Sequence, residues 1–481
     1  MPNETLSFIQ LDRVLGTVFG GAVGDALGAG YEFAQPPEAS AIAMRRGRLT
    51  GEPAGHWTDD TAMAIGVLRG AARYRTLDTL EAQTAVAQEF HDWYYSHPSD
   101  MGRHTARVLG RTSTASEMAS VALAVQGEDP DAAGNGSLMR TGPVALSALG
   151  DDEQIARTAR AISALTHAHP DAQDACVLWS IAIDRAIRLG SLEGPRAGLP
   201  QLSPDQRRKW EAWIEEAEQN DPATFNPNGY VVHALQAAWS AIVATHDEAD
   251  HFGAGLRRAI AIGDDTDTVA AIAGALLGAR YGVTAIPYGW RHPLAGWPRD
   301  VRGIDLVSLA VRAARGDDRD GWPSVSTMVP AYERFSPRGA TYRFAVDEGV
   351  IFGDFGALAT TTTDAYLSLC RIGVDDRKVP DHEVVWLLDQ PGNANAARVL
   401  ADTADAIAAF RSANKTVFVH CVRAESRTPT VAMAWLIRHQ GYEVESAITE
   451  VLATMRSAAP DESLLAAVRH LVTNVFDMHH F

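Results

Sequence analysis

Two short acidic motifs, Thr58-Asp59-Asp60-Thr61 and Asp264-Asp265-Thr266-Asp267-Thr268, lie about two hundred residues apart and read alike, each opening an apolar run with helical spacing. Thr and Asp are usual helix N-caps and first-turn residues, so capping is one reading of both. A cap needs one carboxylate. Adjacent carboxylates repel one another, and a second cluster of the same kind on a second buried helix is costly unless cations neutralise it. The other reading is therefore a binuclear metal site. Its oxygen-only donors, carboxylates and Thr hydroxyls, suit a hard cation such as Mg2+ or Mn2+. No His/Cys spacing of the zinc type competes with it.

A second chemistry is carried by His420-Cys421-Val422-Arg423-Ala424-Glu425-Ser426-Arg427-Thr428-Pro429, which follows the β-type run Lys415 to Val419 and precedes a helical pattern. A strand, a tight loop and a helix with Pro429 near its first position aim free N–H groups and the helix dipole at one place, an anion cradle. Such a field favours thiolate over thiol, which makes Cys421 a candidate nucleophile. Arg427, six positions on, offers a bidentate guanidinium for phosphate oxygens. The alternative is a buried strand-end Cys followed by a surface Arg. A Gly-rich turn, Gly134-Asn135-Gly136-Ser137, followed by Arg140, reads either as a plain turn before a helix or as backbone N–H groups that cradle a diphosphate.

The elements that must position these residues differ along the chain. From Leu11 to about Arg315 the text is rich in Ala, Gly and Leu at helical intervals. The runs Thr61 to Tyr74 and Thr268 to Tyr281 are apolar almost all round and contain Gly66, Gly274 and Gly278, as expected of central bundle helices whose backbones approach closely. Gly190 to Asn228, with the amphipathic piece Pro204 to Ala217, reads as an excursion from the core. After Asp317 the composition changes, and Gly321 to Gly339, with Pro323, Pro330 and Pro337, reads as a linker. Beyond it the β-type runs Tyr342 to Val346, Val350 to Phe352, Val384 to Leu388 and Lys415 to Val419 alternate with helical patterns over Ala396 to Arg411 and Thr430 to His439. The expectation is an all-α bundle over 1–320, a linker over 321–340 and an α/β domain with a central, largely parallel sheet over 341–481.

Composition narrows the class. With 42 Lys+Arg against 60 Asp+Glu the formal charge is −18, and no basic run occurs, so no dedicated nucleic-acid or anionic-membrane surface is expected. Apolar stretches are broken by charges well before the ~20 residues of a membrane span, and the N-terminus lacks a secretory pattern. Cys176, Cys370 and Cys421 lie far apart without disulfide-framework spacing. Cys176 and Cys370 sit in apolar text that reads as helical and are expected in the core. A cytoplasmic, reducing compartment is the expectation.

Six ordered motifs, GGAVGDALGAGYE, HWTDDT, GNGSLMRTGPVAL, LTHAHPDAQDAC, NGYVVHALQAA and GDDTDTVAAIAGALLGARYG, resemble the ADP-ribosylglycohydrolase family over roughly residues 11–315. The resemblance implies an all-α fold with two Mg2+ (or Mn2+) ions in a cleft and hydrolysis of the bond joining ADP-ribose to its acceptor. It implies Thr58, Asp59, Asp60, Asp265, Asp267 and Thr268 as metal ligands and Glu32 as catalytic acid/base. It also places the 134–137 loop and Arg140 by the diphosphate, His167 in a substrate loop and Asn228, Gly229 and Tyr230 over the distal ribose; a structural histidine and a packed aromatic are the other readings of His167 and Tyr230. One departure is Asp264, where the family usually has Gly or Asn; it is left outside the ligand set.

The His-Cys-x5-Arg-Thr arrangement resembles the dual-specificity branch of the protein tyrosine phosphatases, over roughly residues 340–481. By that resemblance Cys421 attacks phosphorus, the 422–427 loop with Arg423, Ser426 and Arg427 holds the phosphoryl group, and Thr428 helps expel the thiolate. Asp389, after a β-type run and upstream of Cys421, is the candidate general acid. His420 is expected to orient the loop. Ala424 stands where the family commonly has Gly, and Glu425 places a carboxylate on the lip, which argues against ordinary phosphotyrosine substrates. The combined expectation is a bifunctional hydrolase acting on ADP-ribosylated and phosphorylated substrates, or on one compound bearing both groups. The alternative is an ADP-ribosylhydrolase whose C-terminal domain is a weak or inactive phosphate-binding module.

Overall fold

The structure is a computed structural model that describes residues 6–74, 76–299, 301–315 and 329–471. The chain divides into two compact units, Met1–Ile286 with Trp290–Asp317 and Pro287–Gly289 with Asp318–Phe481. The first part of the expected linker, residues 321–328, lies outside the described residues. No described helix is long and apolar enough to cross a membrane.

The first unit is helical, as the Ala/Leu periodicity requires. Its helices are α1 (Phe8–Gly28), α2 (Asp59–Arg73), α3 (Leu80–Tyr95), α4 (Arg103–Leu109), α5 (Met118–Glu128), α6 (Asp152–Ala164), α7 (Pro170–Leu189), α8 (Pro204–Gln219), α9 (Val231–Ala244), α10 (His251–Ile260), α11 (Thr266–Tyr281), the second half of the short α12 (Tyr288–Arg291), and α13 (Gly303–Arg315). At the centre α1 lies backbone to backbone against α11. Glycines recur every fourth residue along α1, and a methyl group on Gly16, Gly20 or Gly24 would run into the carbonyl of Gly278, Gly274 or Ala270. Two small-residue faces at helical spacing therefore set the approach of the two helices. The stretch expected as an excursion is instead packed in: Trp210 and Ile214 of α8 are fully buried and Leu199 nearly so. Its polar face hid the Trp210–Ile214 spacing that seats α8 on α9.

The second unit contains α14 (Val329–Glu333), β1 (Thr341–Phe344), β2 (Asp347–Asp354), β3 (Ala365–Ser368), β4 (His382–Val384), α15 (Ala396–Ser412), β5 (Val417–Cys421), α16 (Arg427–His439), α17 (Val444–Thr454) and α18 (Glu462–Arg469). The sheet order is β1-β2-β5-β3-β4, with β1–β2 antiparallel and the other three pairings parallel. β3 is fully buried and was not anticipated, because Ala365-Tyr366-Leu367-Ser368 carries no alternation when both of its faces are covered. Cys370 accordingly follows a strand rather than lying in a helix. β4 ends at Val384, short of the expected Leu388, where the Asn393 side chain accepts from Leu388 N and donates to Leu388 O and so closes a turn. α16 begins at Arg427, three residues before the expected Thr430, since a Pro within the first turn sacrifices no helical hydrogen bond.

Candidate functional site

The α1–α11 contact delivers the end of α1 to the start of α11. A methyl on Gly28 would meet the Asp267 backbone, and Thr266 Oγ1 donates to Gly28 O at 2.9 Å. Asp25, in the last turn of α1, is wholly buried and accepts from Thr58 N, Thr58 Oγ1 and Thr61 N, each at 2.9 Å. It thereby caps α2 from another helix. Thr58 makes no side-chain cap to its own helix, and neither does Asp265 at the start of α11. The capping reading of the two acidic motifs fails on that geometry, and their side chains turn toward each other instead.

Thr58 Oγ1 lies 3.2 Å from Asp60 Oδ2 and 3.4 Å from Asp267 Oδ2, and Thr268 Oγ1 lies 3.5 Å from Asp60 Oδ2. Carboxylate oxygens of Asp25, Asp60 and Asp267 fall within 4.8 Å of one another, as do those of Glu32, Asp100 and Asp267. Asp59 Oδ2 accepts from Gly102 N, in the loop that carries Asp100. Burial pushes these acids upward, and like charges add to it for all but Asp25: Glu32 to about 9, Asp59 to about 8, Asp25 to about 6, with Asp60 and Asp267 well above the usual carboxylate range. For Glu32 desolvation is the largest cause, followed by the charge of Asp100. Asp60 Oδ1 is buried with no hydrogen-bond partner. Converging carboxylates with an orphaned buried oxygen fit a divalent cation, which would supply both the missing contact and the opposite charge.

The surrounding loops hold this centre. Asn135 Nδ2 donates to Asp265 Oδ2 at 2.7 Å, and Asn228 Oδ1 accepts from Asp265 N at 3.0 Å. Asp264 has φ +65° and accepts from Asn228 N through its carboxylate, so it turns the chain. Asp, like Asn, enters the left-handed region more readily than most side chains. The Gly134 turn pairs with Tyr230, and its Asn135 N–H donates to Gly229 O rather than standing free. Gly136 has the His167 ring against it, and burial holds His167 well below the usual histidine range, hence neutral. Ser137 faces the core, accepting from Ser163. Arg140 corrects an expectation: it is wholly buried over the Phe90 ring and donates to Ile162 O and Thr166 Oγ1, so it braces the turn from behind instead of facing a diphosphate. Tyr230 is 37% exposed and donates to Asp171. The sequence reading missed Asp25 and Asp100. An ionisable residue inside the small-residue text of α1 was a usable sign of the first, while Asp100 sits in an unmarked turn.

In the second unit β5 delivers Cys421, 2% exposed, to a loop that α16 closes. The loop is pinned: Phe355 N donates to Val422 O, Ala459 N to Glu425 O and Asp461 N to Ser426 Oγ. Ala424 occupies φ +53°, a conformation that suits Gly better than Ala. Arg427 donates through Nη1 to Leu369 O, and its buried Nε has no hydrogen bond but lies 3.8 Å from Asp389 Oδ2. Thr428 Oγ1 is directed to Gly353 O at 3.3 Å. His420 pairs with Ser368 Oγ and burial lowers it to about 4, so it is neutral and orients the strand end. Glu425 forms ion pairs with Arg423 at 2.7 Å and Arg338 at 3.6 Å. Its carboxylate is thus paired with two guanidinium groups.

Residues 7–321 match the family model described as ADP-ribosylglycohydrolase, and residues 370–471 match the dual specificity phosphatase catalytic domain. The chain is 32% identical over 294 residues to the ADP-ribosyl-(dinitrogen reductase) glycohydrolase of Rhodospirillum rubrum, which covers 59% of this chain and 90% of that protein. It is 28% identical over 312 residues to the ADP-ribosylarginine hydrolase Tri1 of Pseudomonas putida, covering 64% and 81%. An ADP-ribosylglycohydrolase-related protein complex among solved structures aligns over 64% of this chain and 98% of its own, with 28% identity and a TM-score of 0.48.

Proposed function

We propose, from the premise that this chain belongs to the ADP-ribosylglycohydrolase family, that its first unit cleaves the glycosidic bond between ADP-ribose and an arginine-type acceptor with the help of Mg2+. The observation that carries this reading is the meeting of Asp25, Glu32, Asp60, Asp100 and Asp267 around a buried oxygen, Asp60 Oδ1, that lacks a partner. Thr58, Asp59, Asp60, Asp265, Asp267 and Thr268 would hold the cations, with Asp25 and Asp100 added to their surroundings. When bound, divalent ions would offset part of the carboxylates' charge and supply an activated water for the anomeric carbon. Glu32 would donate a proton to the leaving nitrogen as the ribose becomes oxocarbenium-like. The Gly134–Ser137 turn and Tyr230 would flank the ADP-ribose. Arginine as acceptor is supported by relatives named ADP-ribosylarginine hydrolase.

The test is ADP-ribose release by the full-length protein from arginine-linked and serine-linked peptides, ADP-ribosylated DNA and ADP-ribose-1″-phosphate, with Mg2+ or with chelator. Release that needs Mg2+ and is lost in Asp59→Ala is the expected result; release from none of them sinks the reading.

For the second unit we propose cysteine-dependent hydrolysis of phosphate monoesters: Cys421 attacks phosphorus, the loop amides and Arg427 hold the phosphoryl oxygens, and Asp389 protonates the leaving oxygen. The juxtaposition of Asp389 with Arg427 at the lip of the Cys421 loop supports it. Turnover of para-nitrophenyl phosphate by the wild type but not by Cys421→Ser is expected. Phosphate binding with no turnover in either would make this unit a recruiting module.

A further inference from the structure

Phe33 directly follows Glu32 and combines two features that seldom meet in one residue. Its backbone lies in the left-handed region at φ +48°, and its side chain is 52% exposed. A bulky residue gains nothing from such a backbone, and a ring that turned inward would repay the strain with burial. The conformation is nonetheless enforced from all sides. Phe33 N donates to Asp264 O at 2.7 Å, one residue before the acidic centre's Asp265, and Ala34 N closes on Tyr31 O. Behind the turn, Arg48 Nη1 donates to Glu32 O at 2.9 Å, Arg48 N donates to Ala29 O, and Arg45 holds Gly30 O while lying 3.6 Å over the Tyr31 ring. Strain that the surroundings over-determine, adjacent to reacting groups, is the pattern of a site-building residue.

We infer that Phe33 is a specificity residue whose ring receives the planar cation of the acceptor, the guanidinium of an ADP-ribosylated arginine. This rests on the hydrolase reading above. The chemistry favours a cation over a neutral base: Asp25, Asp60, Asp100 and Asp267 gather with Glu32, which Phe33 follows directly in the chain, so the approach to that residue is lined by acids rather than bases. An aromatic face beside such a field attracts a guanidinium through its quadrupole and the acids together.

The experiment uses full-length protein with Mg2+ and compares wild type, Phe33→Gly, Phe33→Leu and Phe33→Tyr for release from arginine-linked peptide, alongside calorimetric binding of free ADP-ribose. Phe33→Gly, which relieves the strain, and Phe33→Leu, which keeps apolar bulk without a π face, are each expected to raise KM roughly 3- to 10-fold with kcat within about twofold. Affinity for free ADP-ribose should stay unchanged, and Phe33→Tyr should retain the wild-type KM. An unchanged KM in Phe33→Leu overturns the inference, and so does a parallel loss of ADP-ribose affinity, which would put the ring on the other side of the scissile bond. Wild-type release from serine-linked but not arginine-linked peptide overturns the inference while the hydrolase reading stands. No release from any substrate overturns both.

Discussion

The acidic centre of the first unit and the cysteine loop of the second solve the same problem, the concentration of charge at one point, by opposite means. In the second unit, strand, cradle, nucleophile and Arg427 occupy one stretch from Val417 to His439, and local backbone geometry places them. In the first, Asp25, Glu32, Asp60, Asp100 and Asp267 come from separated segments, and the backbone contact of α1 with α11 brings the end of α1 to Asp267. A contiguous site depends on local conformation, whereas a dispersed one depends on packing far from the chemistry.

The contrast can be broken most severely at the nucleophile. Cys421→Ser should lower phosphate-ester turnover on the order of 10^4-fold or more while leaving the melting temperature near that of the wild type; an unchanged rate would remove the cysteine mechanism. In the acidic centre, Asp60→Asn should cost roughly 10^2-fold or more in ADP-ribose release. Because it deletes one of several repelling charges, it should also stabilise the chelator-treated protein and shrink the added stabilisation by Mg2+; a melt unaffected by metal in both proteins contradicts the site.

Packing is tested away from both centres. Gly20→Ala places a methyl against the Gly274 carbonyl, which no side-chain rotation can relieve, and should destabilise the first unit by about 3 kcal/mol or more in urea unfolding. Loss of metal-dependent activity at temperatures where the fold survives would show that the α1–α11 distance sets the site.

The acid pKa values give a pH signature. An unfolded chain releases carboxyl protons near pH ~4, while the metal-free fold keeps those of Asp59 and Glu32 up to about 8 and 9. Between these limits the folded state binds more protons, so its stability is full at the acid end and falls as pH rises toward 9. Melting of chelator-treated protein should therefore drop from pH 6 to pH 8.5, and Mg2+ should raise it more at pH 8.5. A flat profile would mean the acids are already ionised and compensated.

The smallest effect belongs to the loop. Ala424→Gly relieves a left-handed alanine and, after the added entropy of the unfolded chain, should stabilise the second unit by about 0.5–1 kcal/mol, read by thermal melting. Destabilisation instead would point to a packing role for the buried Ala424 methyl.

Much of this was legible before any coordinates. Apolar periodicity announced the helical unit, and the 420–429 run announced a strand, loop and helix, because each depends on neighbours a few residues away. β3 escaped since a strand buried on both faces has no alternation to read, and the burial of α8 escaped because two large residues on a polar helix suffice to dock it. Arg140 was misread for a related reason. A guanidinium close to a Gly-rich turn in sequence need not face it in space, and here it stacks on Phe90, from a distant helix.

Residue types and spacing alone set which groups exist for the chemistry: two acidic motifs, a Glu at the end of a glycine-rich helix, and a Cys and Arg six positions apart. Tertiary structure decided which acids meet, that Asp25 caps α2 in place of Thr58, and that Asp100 joins Glu32. The physical reason is range. Helix, strand and loop preferences are settled over a few residues, while a cluster of like charges forms only where close-packed backbones leave those side chains no other place to go.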